Sequence, residues 1–194
     1  MGLSCYGDDR YEADDLIGTL AEYWRERGHP ICVVTADKDL AQLVGEGDHW
    51  WDFSRNQKLN ARQLTQKFGV MPQQMADYLA LTGDAVDNIP GVPGIGPKSA
   101  AALLGHFGDL DSLYERLDEV PTLAIRGARS IHRKLADHRE AAHLARRLTV
   151  IETAVESALA APDLARSAID PDRLNRLFDE LDFGGMLRQR CLRV

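Results

Sequence analysis

Leu81-Thr82-Gly83-Asp84-Ala85-Val86-Asp87-Asn88-Ile89-Pro90-Gly91-Val92-Pro93-Gly94-Ile95-Gly96-Pro97-Lys98 runs from a pair of carboxylates into a turn rich in glycine and proline, which opens into a helical pattern carrying Ala100, Ala101, Leu103 and Leu104. An apolar residue, a Pro-Gly pair, the tight turn Gly94-Ile95-Gly96 and then a helix have the form of a helix-hairpin-helix. Glycines there let the backbone approach a phosphate, amides at the helix start donate to it, and Lys98 adds charge. A clamp of this kind, formed by Gly91, Val92, Gly94, Ile95, Gly96, Lys98 and Ser99, grips a nucleic-acid backbone without reading bases. The ordinary alternative is a Gly/Pro turn between two helices.

Upstream, two more acidic clusters stand where secondary structure should begin or end: Tyr11-Glu12-Ala13-Asp14-Asp15 and Thr35-Ala36-Asp37-Lys38-Asp39. Glu12, Asp14 and Asp15 fall at a helix start, where the macrodipole favours negative charge. Asp37 and Asp39 follow the carboxyl end of an expected parallel strand, the place where open α/β sheets build their sites. Each cluster has an everyday reading as caps and turns. If a fold aims all three at one point, repulsion would drive some carboxylates to protonate unless cations intervene. Hard divalent ions with oxygen ligands resolve that conflict, so two Mg²⁺ or Mn²⁺ ions held by Glu12, Asp14, Asp15, Asp37, Asp39, Asp84 and Asp87 are expected, with Asp14, Asp15, Asp37 and Asp39 as the catalytic set. An acidic cage beside a phosphate clamp points to a nuclease.

The net charge of −7 over 194 residues looks wrong for a DNA-binding protein until it is located. The seven clustered carboxylates alone carry that charge. Between 122 and 147 the balance reverses: Arg126, Arg129, Arg133, Lys134, Arg139, Arg146 and Arg147 face only Asp137 and Glu140. This basic segment reads either as a solvated helix surface or as a face that tracks phosphates, with Arg126 and Arg129 as candidate DNA contacts. Cys5, Cys32 and Cys191 are odd in number and scattered, which supports neither a disulfide framework nor a thiolate zinc site. No apolar run approaches a membrane span, and the first residues lack the basic and apolar regions of a signal peptide. A cytoplasmic protein without membrane association is expected.

Periodicity predicts an α/β half followed by a helical half: helices over 13–24, 39–44, 61–68, 72–81, 98–107, 111–117 and 128–148, and strands over 31–35 and 49–53, the first apolar enough for a parallel sheet. Residues 149–151 read as a short strand and 157–167 as a linker. Asp170 and Pro171 open a last helix, which Gly184 and Gly185 end. The expected regions are a metal-binding core (1–87), a helix-hairpin-helix lobe (88–160) and a carboxy-terminal helical segment packing on the core (161–194).

The three acidic clusters together with the hairpin resemble the 5′ nuclease domain of bacterial DNA polymerase I and its free-standing flap endonuclease relatives, as do Ile125-Arg126-Gly127-Ala128-Arg129 and Leu177-Phe178-Asp179-Glu180-Leu181-Asp182-Phe183. The resemblance implies a PIN-like 5′ nuclease core, the seven carboxylates as metal ligands, and binding of duplex DNA bearing a 5′ end or flap. It also implies a monovalent cation such as K⁺ at the hairpin and a place near the bacterial nucleoid in replication and repair. In that family a first strand, two further aspartates and a helical arch precede the segment matching Met1-Gly2-Leu3, so a truncated domain is expected, with an upstream fragment as a partner. A remnant that binds DNA backbone without turnover is the alternative.

Overall fold

The computed structural model describes residues 2–160 and 162–192. Met1, from which the expected start was read, and Ala161, inside the expected linker and at a region boundary, lie outside the described residues, as do Arg193 and Val194. In chain order the elements are α1 (Ala13–Arg25), β1 (Cys32–Val34), β2 (His49–Asp52), β3 (Gln57–Leu59), α2 (Ala61–Phe68), α3 (Met75–Thr82), α4 (Pro97–Phe107), α5 (Leu110–Glu115), α6 (Ala128–Asp137), α7 (Arg139–Thr149), α8 (Glu156–Leu159), α9 (Pro171–Glu180) and α10 (Gly185–Leu192). Single 3₁₀ turns fill Asp39–Leu43, Pro72–Gln74 and Leu117–Thr122.

The expected parallel pair is present: Cys32 lies opposite His49 and Val34 opposite Trp51. A third strand makes the sheet mixed, since β3 runs antiparallel to β2 with Trp50 facing Leu59. Asn56, at φ 49, closes that hairpin. At the carboxyl end of β1 the chain turns at once into Asp39–Leu43, which buries Leu40, Ala41 and Leu43, so it stays too short to complete an α-helix. The main buried cluster then joins Trp50 of β2 and Leu64 of α2 to Leu79, Leu103, Leu135 and Ala145, so the sheet and the helical lobe share one core. α3 is buried on all sides, which explains its continuous apolar sequence.

Four expectations are corrected. The helix over 128–148 is two helices, because the chain leaves helical geometry at His138 (φ −119, ψ 22). The Lys134 carbonyl accepts the His138 amide at 3.1 Å and lies 2.9 Å from its ring Nδ1, capping α6, while the bend points both Leu135 and Ala145 into the core. Thr149 ends α7 instead of starting a strand: its hydroxyl lies 3.2 Å from the Ala76 carbonyl and 3.1 Å from that of Ala145. The linker begins later than expected. Val155 and Ala158 are buried against Leu16 and Leu20 of α1, and the Val155 amide donates to Thr19 Oγ1 at 3.1 Å, so 156–159 is helical and 162–170 is without regular secondary structure. Finally, Gly185 opens a further helix, α10, folded back on α9, with Arg188 Nη1 2.7 Å from Asp179 Oδ1.

No helix among the described residues is long and apolar enough to cross a membrane. Cys5, Cys32 and Cys191 are free.

Backbone hydrogen bonds fix the loop between Leu81 and Val92. Asp84 and Ile89 exchange both backbone hydrogen bonds, at 2.8 and 2.7 Å, and the Val92 amide donates to the Leu81 carbonyl at 2.9 Å. Gly91 thereby lies on the backbone of Gly83. A methyl group on Gly91 would sit 2.6 Å from the Thr82 carbonyl carbon and 2.8 Å from Gly83 Cα, at a φ of +62. Gly96, by contrast, has open space around it and an ordinary negative φ. Gly91→Ala is therefore expected to lower unfolding free energy by about 2 kcal/mol or more, and Gly96→Ala by less than about 1 kcal/mol. Urea denaturation of the two variants checks this; equal losses would show that the Gly83–Gly91 contact is dispensable.

Candidate metal centre

The structure brings the three acidic clusters together. Glu12, Asp14 and Asp15 at the start of α1, Asp37 and Asp39 after β1, and Asp87 all line one cleft of about 790 Å³. Asp84 lines an adjoining cleft of about 430 Å³, which Asp37 and Asp87 share. At the centre, one carboxylate oxygen each from Asp39, Asp84 and Asp87 lies within 4.8 Å of the other two.

Local structure explains the placement. Asp37 Oδ1 accepts the Asp39 amide at 2.9 Å, and the buried Trp50 indole donates to the Asp37 carbonyl at 2.7 Å, which pins the turn after β1. Asp84 Oδ1 accepts the Val86 amide at 2.9 Å inside the loop closed by the Asp84–Ile89 pair. Asp15 works partly as a cap, since its oxygens accept the amides of Glu12 at 3.2 Å and Glu152 at 2.9 Å. That second bond ties α1 to the chain leaving α7.

The electrostatics are those of a site short of positive charge. Burial, then the neighbouring Asp37 charge, push the Asp39 carboxyl up to about 6 against the opposing pull of Lys38. Asp14 is raised too, first by burial and then by Asp37, Glu12, Asp15 and Asp87. Burial also works to raise Asp84, but the hydrogen bond from the Lys38 ammonium and the Val86 amide hold it below the usual carboxylate range. Asp39 Oδ1 is buried without a hydrogen-bond partner, and Lys38 Nζ stands 3.8 Å from it. A buried, unpartnered carboxylate oxygen within an all-oxygen donor set suits a hard divalent cation, so these residues fit such an ion.

The phosphate-clamp residues divide by exposure. Gly91, Val92 and Ile95 are buried and shape the turn, with the Ile95 amide donating to the Val92 carbonyl at 3.0 Å. Gly94, Gly96 and Lys98 are exposed and Ser99 is half-buried. The Gly96 and Lys98 amides have no acceptor among the described residues. Arg126 and Arg129 are exposed at the entry to α6, and the ammonium of Lys134, on the same helix, reaches Gly94. Arg146 is a structural member of the basic segment, pairing with the buried Asp77 at 2.8 Å and with Asp111 at 2.7 Å. Five cations in the clefts escaped sequence reasoning: Arg10 and Arg147 in the larger cleft, Arg55 and Lys67 in the adjoining one, and Lys38 among the carboxylates. Only Lys38 carried a signal, its place between Asp37 and Asp39.

Comparison with known proteins agrees with this geometry. Residues 1–69 match the family described as 5′-3′ exonuclease, N-terminal resolvase-like domain, and residues 70–172 match 5′-3′ exonuclease, C-terminal SAM fold. The chain belongs to the 5′-3′ exonuclease family. It is 42% identical over 188 residues to DNA polymerase I of Pseudomonas aeruginosa, covering 96% of this chain and 21% of that protein. It is 40% identical over 152 residues to the flap endonuclease Xni of Cronobacter sakazakii, covering 78% of this chain and 58% of the relative. The chain thus spans about a fifth and somewhat over half of these two relatives. Its fold is that of the bacteriophage T5 flap endonuclease, solved as a pseudo-enzyme-product complex with DNA and metal ions, with a TM-score of 0.65 at 21% identity over 80% of this chain and 55% of that one. The T5 5′-exonuclease has also been solved with divalent zinc ions bound.

The raised Asp39 carboxyl gives a signed expectation. Its folded pKa lies above the unfolded value, so the metal-free 5′-3′ exonuclease fold binds the extra proton between pH 4 and 6 and loses stability as pH rises through that window. Asp39→Asn should therefore be more stable than the parent at pH 7.5 without metal, by on the order of 2 kcal/mol, and lose that advantage near pH 4.5. The same substitution should remove most of the rise in melting temperature that millimolar Mn²⁺ gives the parent. Thermal denaturation at both pH values, with and without Mn²⁺, decides it; an Asn variant that follows the parent throughout would show that Asp39 stands outside the centre.

Proposed function

We propose that the chain is a divalent-metal-dependent DNA nuclease, a 5′-3′ exonuclease or flap endonuclease that hydrolyses phosphodiesters at or near a 5′ end or flap of duplex DNA in replication and repair. One observation carries this reading: the loop holding Asp84 and Asp87 in the acidic centre is the same loop that enters the phosphate-clamping hairpin. A duplex gripped at Gly94–Lys98 is held at a fixed offset from the carboxylates, which is how positioning contributes to rate.

On this reading two Mg²⁺ or Mn²⁺ ions are held by Glu12, Asp14, Asp15, Asp37, Asp39, Asp84 and Asp87, with Asp14, Asp15, Asp37 and Asp39 nearest the reacting phosphate. Such ions, when bound, supply an activated water and stabilise the leaving oxygen. The chain's own part is to hold the acidic oxygens in place and to orient the strand. Asp15 keeps lone pairs free besides those given to the Glu12 and Glu152 amides. The exposed glycines Gly94 and Gly96, the free amides of Gly96 and Lys98, and the charges of Lys98, Arg126 and Arg129 contact the backbone. A monovalent cation such as K⁺ at the hairpin belongs to the same proposal, as does a place in the bacterial cytoplasm with the nucleoid. The outer edge of β1 is unpaired among the described residues, and Val34 on it is exposed. That supports an upstream fragment as a partner that extends the sheet.

The deciding experiment is cleavage of a labelled 5′-flap duplex with and without Mg²⁺ or Mn²⁺. Metal-dependent cleavage abolished by Asp84→Asn is the expected outcome, with greater rate when an upstream fragment of a related nuclease is added. Duplex binding without cleavage, even with that fragment, would leave the chain a DNA-backbone-binding module. Gly96→Val should weaken duplex binding similarly on unrelated sequences, because the added side chain enters open space where a backbone would approach. Lys98→Ala should weaken it less and flatten the salt slope by about one phosphate contact. Unchanged affinity at every salt concentration would leave the hairpin with a structural role alone.

A further inference from the structure

Among the described residues, Lys38 is the cation paired with the Asp39–Asp84–Asp87 triad, and its position is specific. Its ammonium hydrogen-bonds Asp84 Oδ2 and stands 3.8 Å from Asp39 Oδ1. Asp84 Oδ1 is satisfied by the Val86 amide, but Oδ2 has Lys38 alone. Asp39 Oδ1 has no hydrogen-bond donor, although Asp39 is only 8% exposed. The two most buried members of the Asp39–Asp84–Asp87 triad therefore share a single ammonium. A divalent cation needs the same oxygens, and it would stand where that ammonium now balances them. The Lys38 side chain is 35% exposed and borders the neighbouring cleft lined by Arg55 and Lys67, so it has somewhere to go.

We infer that Lys38 is the built-in counter-ion of the acidic centre: it holds Asp84 in the metal-free protein, gives it up when a divalent cation binds, and so weakens the centre's affinity for that cation. The inference rests on the metal-centre reading above. It predicts opposite effects on the metal-free and metal-loaded protein. Removing the ammonium should leave the carboxylates unopposed and the free protein less stable, while the cation no longer has a competitor.

The test is Mn²⁺ titration of the purified chain by calorimetry without DNA, together with metal-free melting temperatures. Lys38→Met should bind Mn²⁺ about tenfold more tightly than the parent, roughly the strength of one charged hydrogen bond, and melt at a lower temperature without metal. Lys67→Met, which removes an equal charge from the same cleft without touching Asp84, should change the Mn²⁺ Kd by less than about twofold. Lys38→Arg should restore the metal-free melting temperature. If Lys38→Met fails to fold, Lys38→Gln, which can still donate to Asp84 without the charge, carries the same expectation. Measurable and equal Kd values for parent and variant would overturn the counter-ion role and leave the metal centre standing. Absence of Mn²⁺ binding by both would overturn the two together.

Discussion

The rest of the structure depends on holding like charges close together. Two carboxylates 5 Å apart repel by about 3 kcal/mol at the effective dielectric of a protein surface, and this cleft collects six of them, with a seventh next door. Nothing in the clusters themselves opposes that repulsion except Lys38. The resistance comes from backbone: the Asp84–Ile89 pair, the Trp50 indole on the Asp37 carbonyl, and the Glu152 amide on Asp15 each fix one cluster to a different part of the scaffold. The third of these also explains why the chain after α7 is extended. It passes the start of α1 with its amides free to donate.

What separates this centre from the chain's other buried acids is how their oxygens are partnered. Asp48 is 1% exposed, yet Oδ1 accepts the Ile31 amide at 2.7 Å and Oδ2 accepts the Gly45 amide at 2.9 Å and Arg25 Nε at 2.8 Å. Asp52 is equally buried and takes Ser54 and Arg55. Asp77 has the Leu110 amide and Arg146. Each of these carboxylates closes a local structural problem. Asp77 Oδ1 and Asp39 Oδ1 both lack a hydrogen-bond donor, but Arg146 Nε stands 2.8 Å from the first, while the second has only Lys38 Nζ at 3.8 Å.

Much of this was legible in the sequence, and the reason differs by element. The acidic clusters and the Gly/Pro loop are local signals, and their convergence followed from where helices and parallel strands place their ends. α1, β1, β2, α2 and α4 could be read from period and caps. β3 could not: Gln57-Lys58-Leu59 has no apolar alternation, and it is a strand only because β2 offers it an edge. The break at His138 has no glycine or proline to announce it, and the strand expected at Thr149 reflected a β-branched preference that hydroxyl bonds to α3 and α7 overrode. The direction of Arg146 was equally hidden, because a helical pattern of arginines does not say which one faces a buried Asp77.

Any coupling between the proposed binding and chemistry would lie in a short stretch of backbone. Gly83 and Gly91 touch through bare backbone, so the segment between them is one closed loop that carries buried Asp84 and exposed Asp87 and leads into the hairpin. The charge pattern gives the coupling its direction. On the proposed reading, the acidic cleft alone would repel a polyanion while Lys98 and the α6 cations would attract it a few residues away, so a strand would be drawn to the hairpin first. Its scissile region would then approach the carboxylates only as their charge is compensated. Lys38 gives partial compensation to the free protein, enough to hold Asp84 in position and too little to satisfy Asp39. The sequence Asp37-Lys38-Asp39 therefore places two candidate ligands and the proposed counter-ion in consecutive positions of one turn.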